Sequence, residues 1–354
     1  MKGYYYVGLD VHKKVIAYCV KRSDGRIVDE GTVRATRGAL GAWAAGMGGR
    51  WVVGMEATMF TGWVYDFLKS QAADVKVGHP YMLRAIVAGK KKSDRLDART
   101  LADLLRCDLF PACYMASEKI RELRRVLRYR NLLMQEATRM KNKTAGLLME
   151  VGAEYSKKRL HGKQYFHSLV EGLEDITPSV RRLLGLSRTT MEIFEKNQRW
   201  LLKELANDGE LSERVARLMS IAGVGDVTAL TWALEVGDPH RFRSVKQAVS
   251  YCGLCSGQHE SAGVSKRGPL SKQRNKHLQR VLVEAAKLAP RWNPQLAVVY
   301  ARERERGANH NRASLAVARK LVAYLMYVDK TNREFEPQEV SDTDAVHCPP
   351  VLAD

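Results

Sequence analysis

Short apolar runs separated by turns open the chain. Tyr4–Leu9 is a β-type apolar run that ends at Asp10, and two further strand-like runs, Val15–Lys21 and Ile27–Val33, follow it. The segment between the last two runs reads SDGR, a composition typical of a tight turn. The pattern therefore predicts a meander of three antiparallel strands whose first strand carries an acidic residue.

The pattern then changes to alternating helices and strands. A helical segment at residues 37–47 leads to the buried-type strand Trp51–Met55, and Glu56 stands directly at the end of that strand. A helix over Gly62–Gln71, a strand over Val75–Gly78 and a helix over Tyr81–Ala88 are predicted next. A last helix begins after Lys92 and reaches about residue 107. This order predicts a ribonuclease-H-like α/β domain over residues 1–110.

Four acidic residues occupy positions that such a fold can bring together. Asp10 and Glu56 lie at strand ends, and Asp94 and Asp97 are spaced so that both carboxylates share one helix face. Four carboxylates can hold two divalent cations, which activate an attacking oxygen and stabilise a leaving oxygen. In a second interpretation Ser93 caps the helix and the acidic residues only complement its dipole. The acids upstream favour the metal site.

Two long amphipathic helical patterns fill the middle of the chain. Apolar residues recur at three- and four-residue spacing over Ser117–Gly152 and again over Ser179–Asn207, with basic residues between them. The pattern predicts an antiparallel, coiled-coil-like helix pair over residues 111–212, which needs a partner helix or a second subunit to cover its apolar stripe. An internal helical bundle fits the same pattern equally well.

Residues 213–333 are predicted to form a mostly helical C-terminal domain. The run IAGVG at 221–225 has the glycine pattern of a helix-hairpin-helix turn, in which backbone N–H groups approach a phosphate. A Gly-rich turn between two core helices is an alternative of equal weight. Beyond residue 333 the chain becomes acidic and proline-containing, which predicts a disordered tail over residues 334–354.

The same domain holds two further candidate groups. Cys252 and Cys255 form a CxxC that His259 and His277 could complete as a zinc site, although structural thiols are the favoured interpretation. Ser261 lies in a small-residue segment that predicts a loop. Because the adjacent Glu260 is no obvious base, local sequence alone makes Ser261 an ordinary loop serine.

Composition narrows the class of partner. The formal net charge is +19, from 58 Lys and Arg against 39 Asp and Glu. Such an excess predicts binding to polyanions, most plausibly nucleic acid, but does not separate an enzyme from a scaffold. The sequence has no apolar run of about 18 residues and no signal-peptide core, so no membrane association is expected. The six scattered cysteines suit a reducing cytoplasm.

Several motifs together resemble one known family. Asp10, Glu56 and the run KSDxxD that contains Asp94 and Asp97 resemble the DEDD tetrad of the IS110 group of insertion-sequence transposases. The later runs IAGVG, YxGL and ESAG, and the closing NP…YxR…ARKL pattern, are similar to elements of the same family. The resemblance covers residues from about 3 to 328 in collinear order.

The resemblance implies a RuvC-like domain, a coiled coil and a C-terminal transposase domain with a nucleophilic serine. By position, Asp10, Glu56, Asp94 and Asp97 would bind Mg²⁺, with Mn²⁺ as a substitute. Ser261 would attack the scissile phosphate and form a 5′-phosphoserine-type link. The family also implies a structured bridge RNA that pairs with donor and target double-stranded DNA, and a homo-oligomer, dimer or tetramer.

Two departures from the family pattern bear on the nucleophile. Ser256 stands where the family usually has proline, and Arg274 stands where a glycine is common. Ser265 and Ser256 therefore remain alternative nucleophiles.

The sequence thus leads to one principal hypothesis and two alternatives. The first is a cytoplasmic, RNA-guided DNA recombinase or transposase that cuts and rejoins DNA through serine. The second is a RuvC-like metal-dependent endonuclease or junction resolvase in which water attacks. The third is a non-catalytic nucleic-acid-binding assembly protein.

Overall fold

The computed structural model describes residues 4–86, 93–174, 176–261 and 264–337, which divide into two compact units, Met1–Glu118 and Lys119–Asp354. Residues 90–92 of the basic stretch before Ser93, residues 262 and 263 of the ESAG run, and residues 338–354 of the predicted tail lie outside the described residues. The predicted boundary between domains at residue 213 stays a prediction.

The first unit is built on a mixed sheet. Among its described residues, five strands pair in the order β3-β2-β1-β4-β5: they are β1 (Tyr5–Val11), β2 (Val15–Lys21), β3 (Ile27–Arg34), β4 (Trp51–Glu56) and β5 (Asp74–Gly78). The first three are antiparallel neighbours, whereas β4 is parallel to β1 and β5 is parallel to β4. The predicted α/β class is confirmed, and this order is consistent with a ribonuclease-H-like domain.

Helices cover the sheet. They are α1 (Arg37–Ala45), α2 (Thr61–Leu68), α3 (Pro80–Ile86) and α4 (Asp94–Arg106). Helix α4 packs directly on β1 because Gly8 has no side chain there. A Cβ at position 8 would collide with the carbonyl oxygen of Ala98 and lie 2.6 Å from the backbone nitrogen of Ala102. The close approach fixes α4 over the sheet, with its first turn near the end of β1.

Ion pairs fasten α4 to the β2–β3 hairpin. Arg99 donates two hydrogen bonds of 2.7 Å to the Glu30 carboxylate, which is 14% exposed and also accepts from Arg95. Farther along the helix, Lys21 and Asp103 form an ion pair of 2.5 Å. Because Glu30 and Lys21 are largely shielded from water, these pairs specify the position of α4 more firmly than exposed pairs would.

The second unit is mostly helical. Its described helices are α5 (Glu118–Glu150), α6 (Lys163–Glu171), α7 (Pro178–Ala206), α8 (Gly209–Met219), α9 (Asp226–Val236), α10 (Val245–Tyr251), α11 (Lys276–Leu288), α12 (Pro294–Glu305) and α13 (His310–Thr331). Helix α9 is apolar nearly all round, and it lies in a core with α11 and α13. Leu127 of α5 belongs to the same core.

A strand hairpin corrects one prediction. β6 (Ser256–Ser261) pairs with β7 (Val264–Leu270) in an antiparallel ribbon, so the predicted loop at Ser261 is wrong: this residue ends a strand. The sequence of β6, SGQHES, has no alternation of apolar and polar residues, so its pattern does not indicate a strand.

The two long helices appear close to the predicted bounds. Leu148 of α5 and Leu184 of α7 belong to one buried cluster, and Lys141 of α5 pairs with Glu195 of α7 at 2.8 Å. Higher numbers on α5 thus meet lower numbers on α7, which is an antiparallel order. A supercoiled pairing stays a prediction. No helix in the described part of the chain combines the length and apolar character that crossing a bilayer requires.

Candidate metal centre

Two predicted acids lie at neighbouring positions of the sheet. Leu9 of β1 is paired with Met55 of β4, so the next residues, Asp10 and Glu56, stand side by side where both parallel strands end. Side chains alternate along a strand, and Asp10 is two residues beyond Gly8. The Asp10 carboxylate therefore lies on the face that α4 covers.

The other two predicted acids come from the first turn of α4. Ser93 caps the helix, since its Oγ accepts a hydrogen bond from the Leu96 N–H at 3.3 Å. Ala98 contacts the position of Gly8, so the preceding turn, with Asp94 and Asp97, is carried to the end of β1. The structure confirms the capping interpretation, and the capped helix start is compatible with the metal interpretation because it carries both aspartates toward the end of β1.

A histidine joins the acids. His12 Nε2 lies 3.0 Å from Asp10 Oδ2 and 3.5 Å from Asp94 Oδ1, and one ligand atom of each residue lies within 4.8 Å of the other two. Sequence reasoning missed His12. The available signal was the spacing Asp-x-His at a strand end, which places both side chains on the same side of the chain.

Asp97 and Glu56 complete the predicted set less closely. Asp97 is near enough for its charge to raise the pKa of Asp10. Glu56 stands beside Asp10 in the strand register, and the two side chains lie on the same face of the sheet. Within the described residues, the Glu56 carboxylate forms no ion pair. The described structure thus brings Asp10, His12 and Asp94 into one cluster, with Asp97 and Glu56 at its border.

Electrostatics show an excess of negative charge at this cluster. Burial is the largest cause of the raised pKa of the Asp10 carboxyl, and repulsion from Asp94 and Asp97 adds to it. His12 works against this rise through its charge and its hydrogen bond. Carboxylate oxygens with an imidazole nitrogen form a donor set that suits a divalent cation, and a cation would relieve the repulsion. The residues present therefore fit such a metal.

The CxxC segment has a different character. Cys252 is fully buried, and burial raises the pKa of its thiol to about 12, so it stays protonated at neutral pH. A metal would need the thiolate. The side chain of His259 lies outside the described residues, and among the side chains that are described neither cysteine belongs to a group spaced for a metal ion.

The predicted nucleophile belongs to the second unit. Ser261 is the last residue of β6 and is paired with Val264 of β7, while Ser265 is paired with Glu260 one position along. Ser256, the other alternative, begins β6 and is exposed. The three serines thus share one hairpin.

Two models of transposase families match the chain. A model described as a transposase, of the DEDD and IS110 type, matches residues 7–152, and the Transposase IS116/IS110/IS902 family model matches residues 215–301. Together they cover about two thirds of the sequence. The first match contains the acidic cluster, and the second contains the β6–β7 hairpin.

Curated relatives of similar type were also found. The transposase for insertion sequence element IS1111A of Coxiella burnetii is 25% identical over 291 residues, which is 81% of this chain and 78% of the relative. The transposase for element IS1328 of Yersinia enterocolitica is 25% identical over 242 residues, 67% of this chain and 70% of the relative. The putative transposase y4qE of Sinorhizobium fredii is 26% identical over 223 residues, 63% of this chain and about half, 54%, of the relative.

Proposed function

Since the chain belongs to the IS110/IS116 family of transposases, we propose that it cuts and rejoins DNA with the acidic cluster of its first unit. One observation carries the proposal. Ligand atoms of Asp10, His12 and Asp94 lie within 4.8 Å of one another, inside the segment that the DEDD-type transposase model matches. Such convergence at strand ends under a helix N-terminus is typical of a site that handles phosphate chemistry.

The proposed cofactor is Mg²⁺, with Mn²⁺ as a substitute. Asp10, Glu56, Asp94 and Asp97 would hold it. Burial raises the pKa of Asp10, and repulsion from Asp94 and Asp97, which raises it further, supports this assignment. When bound, a divalent cation lowers the pKa of an attacking hydroxyl and neutralises charge on a leaving oxygen. The metal assignment is separable from the nucleophile assignment, because the two rest on different residues.

The chain's own groups orient the carboxylates. His12 stands between Asp10 and Asp94, at 3.0 and 3.5 Å from their oxygens, and so restricts both side chains. The N-terminus of α4 directs its positive partial charge toward the same acids and favours their ionised form. The first effect restricts the positions of the carboxylates and the second favours their ionised form, and neither requires a bound ligand.

Ser261 is the proposed nucleophile. Its hydroxyl oxygen would form a bond to the scissile phosphorus while the bond from phosphorus to the 3′-oxygen of the departing strand breaks. The serine proton is balanced by the proton that the departing 3′-oxygen takes up. The product is a 5′-phosphoserine link that retains the energy of the phosphodiester and allows rejoining by the reverse reaction. The position of Ser261 within the second matched segment supports this role.

A guide RNA and a homo-oligomer complete the proposal. The net charge of +19 supports the binding of more than one polyanion, here a structured bridge RNA together with donor and target double-stranded DNA. Leu186, Ile193 and Trp200 of α7 are large apolar residues exposed to water, which supports a dimer or tetramer that covers them.

A denaturing gel tests the proposed chemistry. The full chain is incubated with Mg²⁺, its co-purified RNA and labelled DNA matched to that RNA. We expect a protein–DNA adduct in wild type and none in Ser261→Ala. Ser256→Ala is the matched control in the same hairpin and should retain the adduct.

Three outcomes would contradict this account. An adduct that persists in Ser261→Ala but disappears in Ser265→Ala or Ser256→Ala identifies another nucleophile. Cut DNA without any adduct favours attack by water, as in a RuvC-like endonuclease. Intact DNA under all conditions, with binding retained, favours a non-catalytic assembly protein.

A further inference from the structure

A basic cleft of about 1150 Å³ lies in the second unit, and its lining includes the glycine turn of the IAGVG run and His277. One wall is formed by α5, another by α11 along its length, and the third by the turn that precedes α9 together with the first turn of α9. Its lining includes three basic residues and two glycines: Arg130, Lys276, Arg280, Gly223 and Gly225. The volume suits a segment of sugar–phosphate backbone rather than a single small anion.

Arg130 is an unusual residue for the wall of an open cleft. It is only 6% exposed, and its Nε has no hydrogen-bond partner among the described residues. Its Nη1 donates to Asn131 Oδ1 at 3.1 Å, and no carboxylate pairs with it. Burial lowers the pKa of Arg130, and the charge of Asp226, which raises it, offsets only part of this effect. An anion in the cleft would supply the missing partner.

The turn before α9 offers backbone donors at the same place. Gly223 has φ +95°, and a Cβ there would lie 2.6 Å from the Cβ of Ala289, so glycine is required. Gly225 begins the helix, is exposed, and has open space where a Cβ would stand. The N–H groups of Gly225 and Asp226 find no acceptor within the described structure. The N-terminus of α9 therefore faces the cleft with unsatisfied donors.

Charges around the cleft are predominantly positive. Lys276 and Arg280 of α11 are both exposed, and neither forms an ion pair within the described residues. The acidic groups nearby are largely engaged: Glu235 pairs with Arg128 at 2.8 Å, Glu284 pairs with Lys287 at 3.1 Å, and the Asp226 carboxylate accepts from the Val227 N–H at 2.7 Å. Lys276 and Arg280 thus form no ion pair within the described residues, and the one carboxylate charge that favours ionised Arg130 is that of Asp226.

We propose that this cleft binds backbone phosphates of duplex DNA, through Arg130, Lys276, Arg280 and the N-terminus of α9. The choice of DNA rests on the proposed function, since DNA is the substrate on which the acidic cluster would act. Contacts to phosphate carry no sequence information, so the cleft would position any duplex irrespective of its bases. Binding here is a task separate from cleavage.

The test measures DNA binding without cleavage. Fluorescence anisotropy of a labelled 20-base-pair duplex is recorded with the full chain in EDTA over a series of salt concentrations. We expect Arg280→Gln and Lys276→Gln each to weaken binding about tenfold and to reduce the salt slope by about one, as loss of one phosphate contact predicts. Arg125→Gln is the control, because Arg125 is exposed on α5 and lies outside the cleft.

Arg130→Met separates a role of Arg130 in DNA binding from a role in the stability of the fold. Replacement of an unpaired buried charge by an apolar residue of similar length should leave the free protein as stable as wild type or more so, while DNA binding falls about tenfold. The proposal is overturned if the three cleft variants bind the DNA duplex as tightly as Arg125→Gln does. It is equally overturned if they lose affinity only for an RNA duplex of the same sequence.

This experiment is independent of the cleavage chemistry. Because EDTA removes divalent cations, a failure of the metal-site proposal leaves the anisotropy result unchanged. Asp97→Asn should bind the duplex in EDTA at least as tightly as wild type, whether or not Asp97 contributes to cleavage. Failure of one proposal can therefore be recognised without failure of the other.

Discussion

The acidic cluster of the first unit and the basic cleft of the second have opposite charges. In each of them, burial shifts the pKa of one side chain in the direction that favours its neutral form. In the cluster, Asp10, Asp94 and Asp97 repel one another, and the pKa of Asp10 is raised. In the cleft, Arg130 is buried, its Nε has no hydrogen-bond partner within the described residues, and burial lowers its pKa. Charges of one sign lie close together in each region, and the proposed ligands, a divalent cation and a phosphate, carry the opposite sign. The contrast separates a region for chemistry from a region for binding.

The largest expected effect is on cleavage. Asp10→Asn removes the most buried carboxylate of the cluster and should reduce DNA cleavage by about 10³-fold or more, since a metal site that loses a central ligand loses its electrostatic stabilisation. DNA affinity in EDTA should be unchanged. Cleavage rates are measured with labelled DNA, and Asp74→Asn, at an exposed position of the same sheet, is the control. Equal cleavage by both variants would remove the distinction between the two regions.

A smaller effect is expected at His12. His12→Ala leaves all four predicted acids in place but frees the side chains of Asp10 and Asp94 that it now restrains. Loss of such an orienting partner typically costs about 10- to 100-fold in metal affinity or activity. Cleavage should fall by that amount and recover in part at higher Mg²⁺ concentration. If cleavage by His12→Ala depends on Mg²⁺ concentration as cleavage by wild type does, His12 does not orient the carboxylates and is only a turn residue.

The smallest effect concerns stability without metal. The pKa of Asp10 is raised in the folded state, so the folded protein retains a proton there that the unfolded chain has already released. This contribution to stability is fully present below the unfolded pKa and is lost as pH rises through the folded pKa. In EDTA, the Tm of Asp10→Asn should therefore gain on the wild-type Tm as pH rises above the unfolded pKa of about 4, because the amide does not ionise.

The measurement is a thermal unfolding series, repeated with Mg²⁺. A bound cation should cancel the advantage of Asp10→Asn at neutral pH, because the wild-type carboxylate then has a partner. If the difference in Tm does not vary with pH, or varies in the opposite direction, the charge excess assigned to the cluster is wrong.

The first unit was predictable because its pattern is local. The strand Trp51–Met55 is an apolar run followed at once by Glu56, and turn residues separate β2 from β3, so strand ends and their acids could be read directly. The i, i+3 spacing of Asp94 and Asp97 predicted a shared helix face, and α4 has that face near β1. The close packing of Gly8 against Ala98 could not be predicted from the sequence, because these two residues are far apart in the chain.

Other residues could not be recognised because their surroundings are long-range. Arg130 belongs to a helix in which arginine recurs on the polar face, and only the approach of distant helices buries it. His12 follows a strand among basic residues and has no apolar pattern of its own. The strand at Ser261 lacks β-branched and alternating residues, so a ribbon formed by backbone pairing was interpreted as a loop. A periodic apolar pattern in the sequence reveals an element that buries one face, and no such pattern marks any of these three features.

The central claim is that the cluster at the end of β1 holds a divalent cation. Electron paramagnetic resonance of Mn²⁺, titrated into the metal-free full chain, measures this directly, because bound Mn²⁺ loses the signal of the free ion. The account predicts that wild type and Asp74→Asn bind Mn²⁺ and that Asp10→Asn binds it at least tenfold more weakly. Equal Mn²⁺ binding by wild type and Asp10→Asn would contradict it.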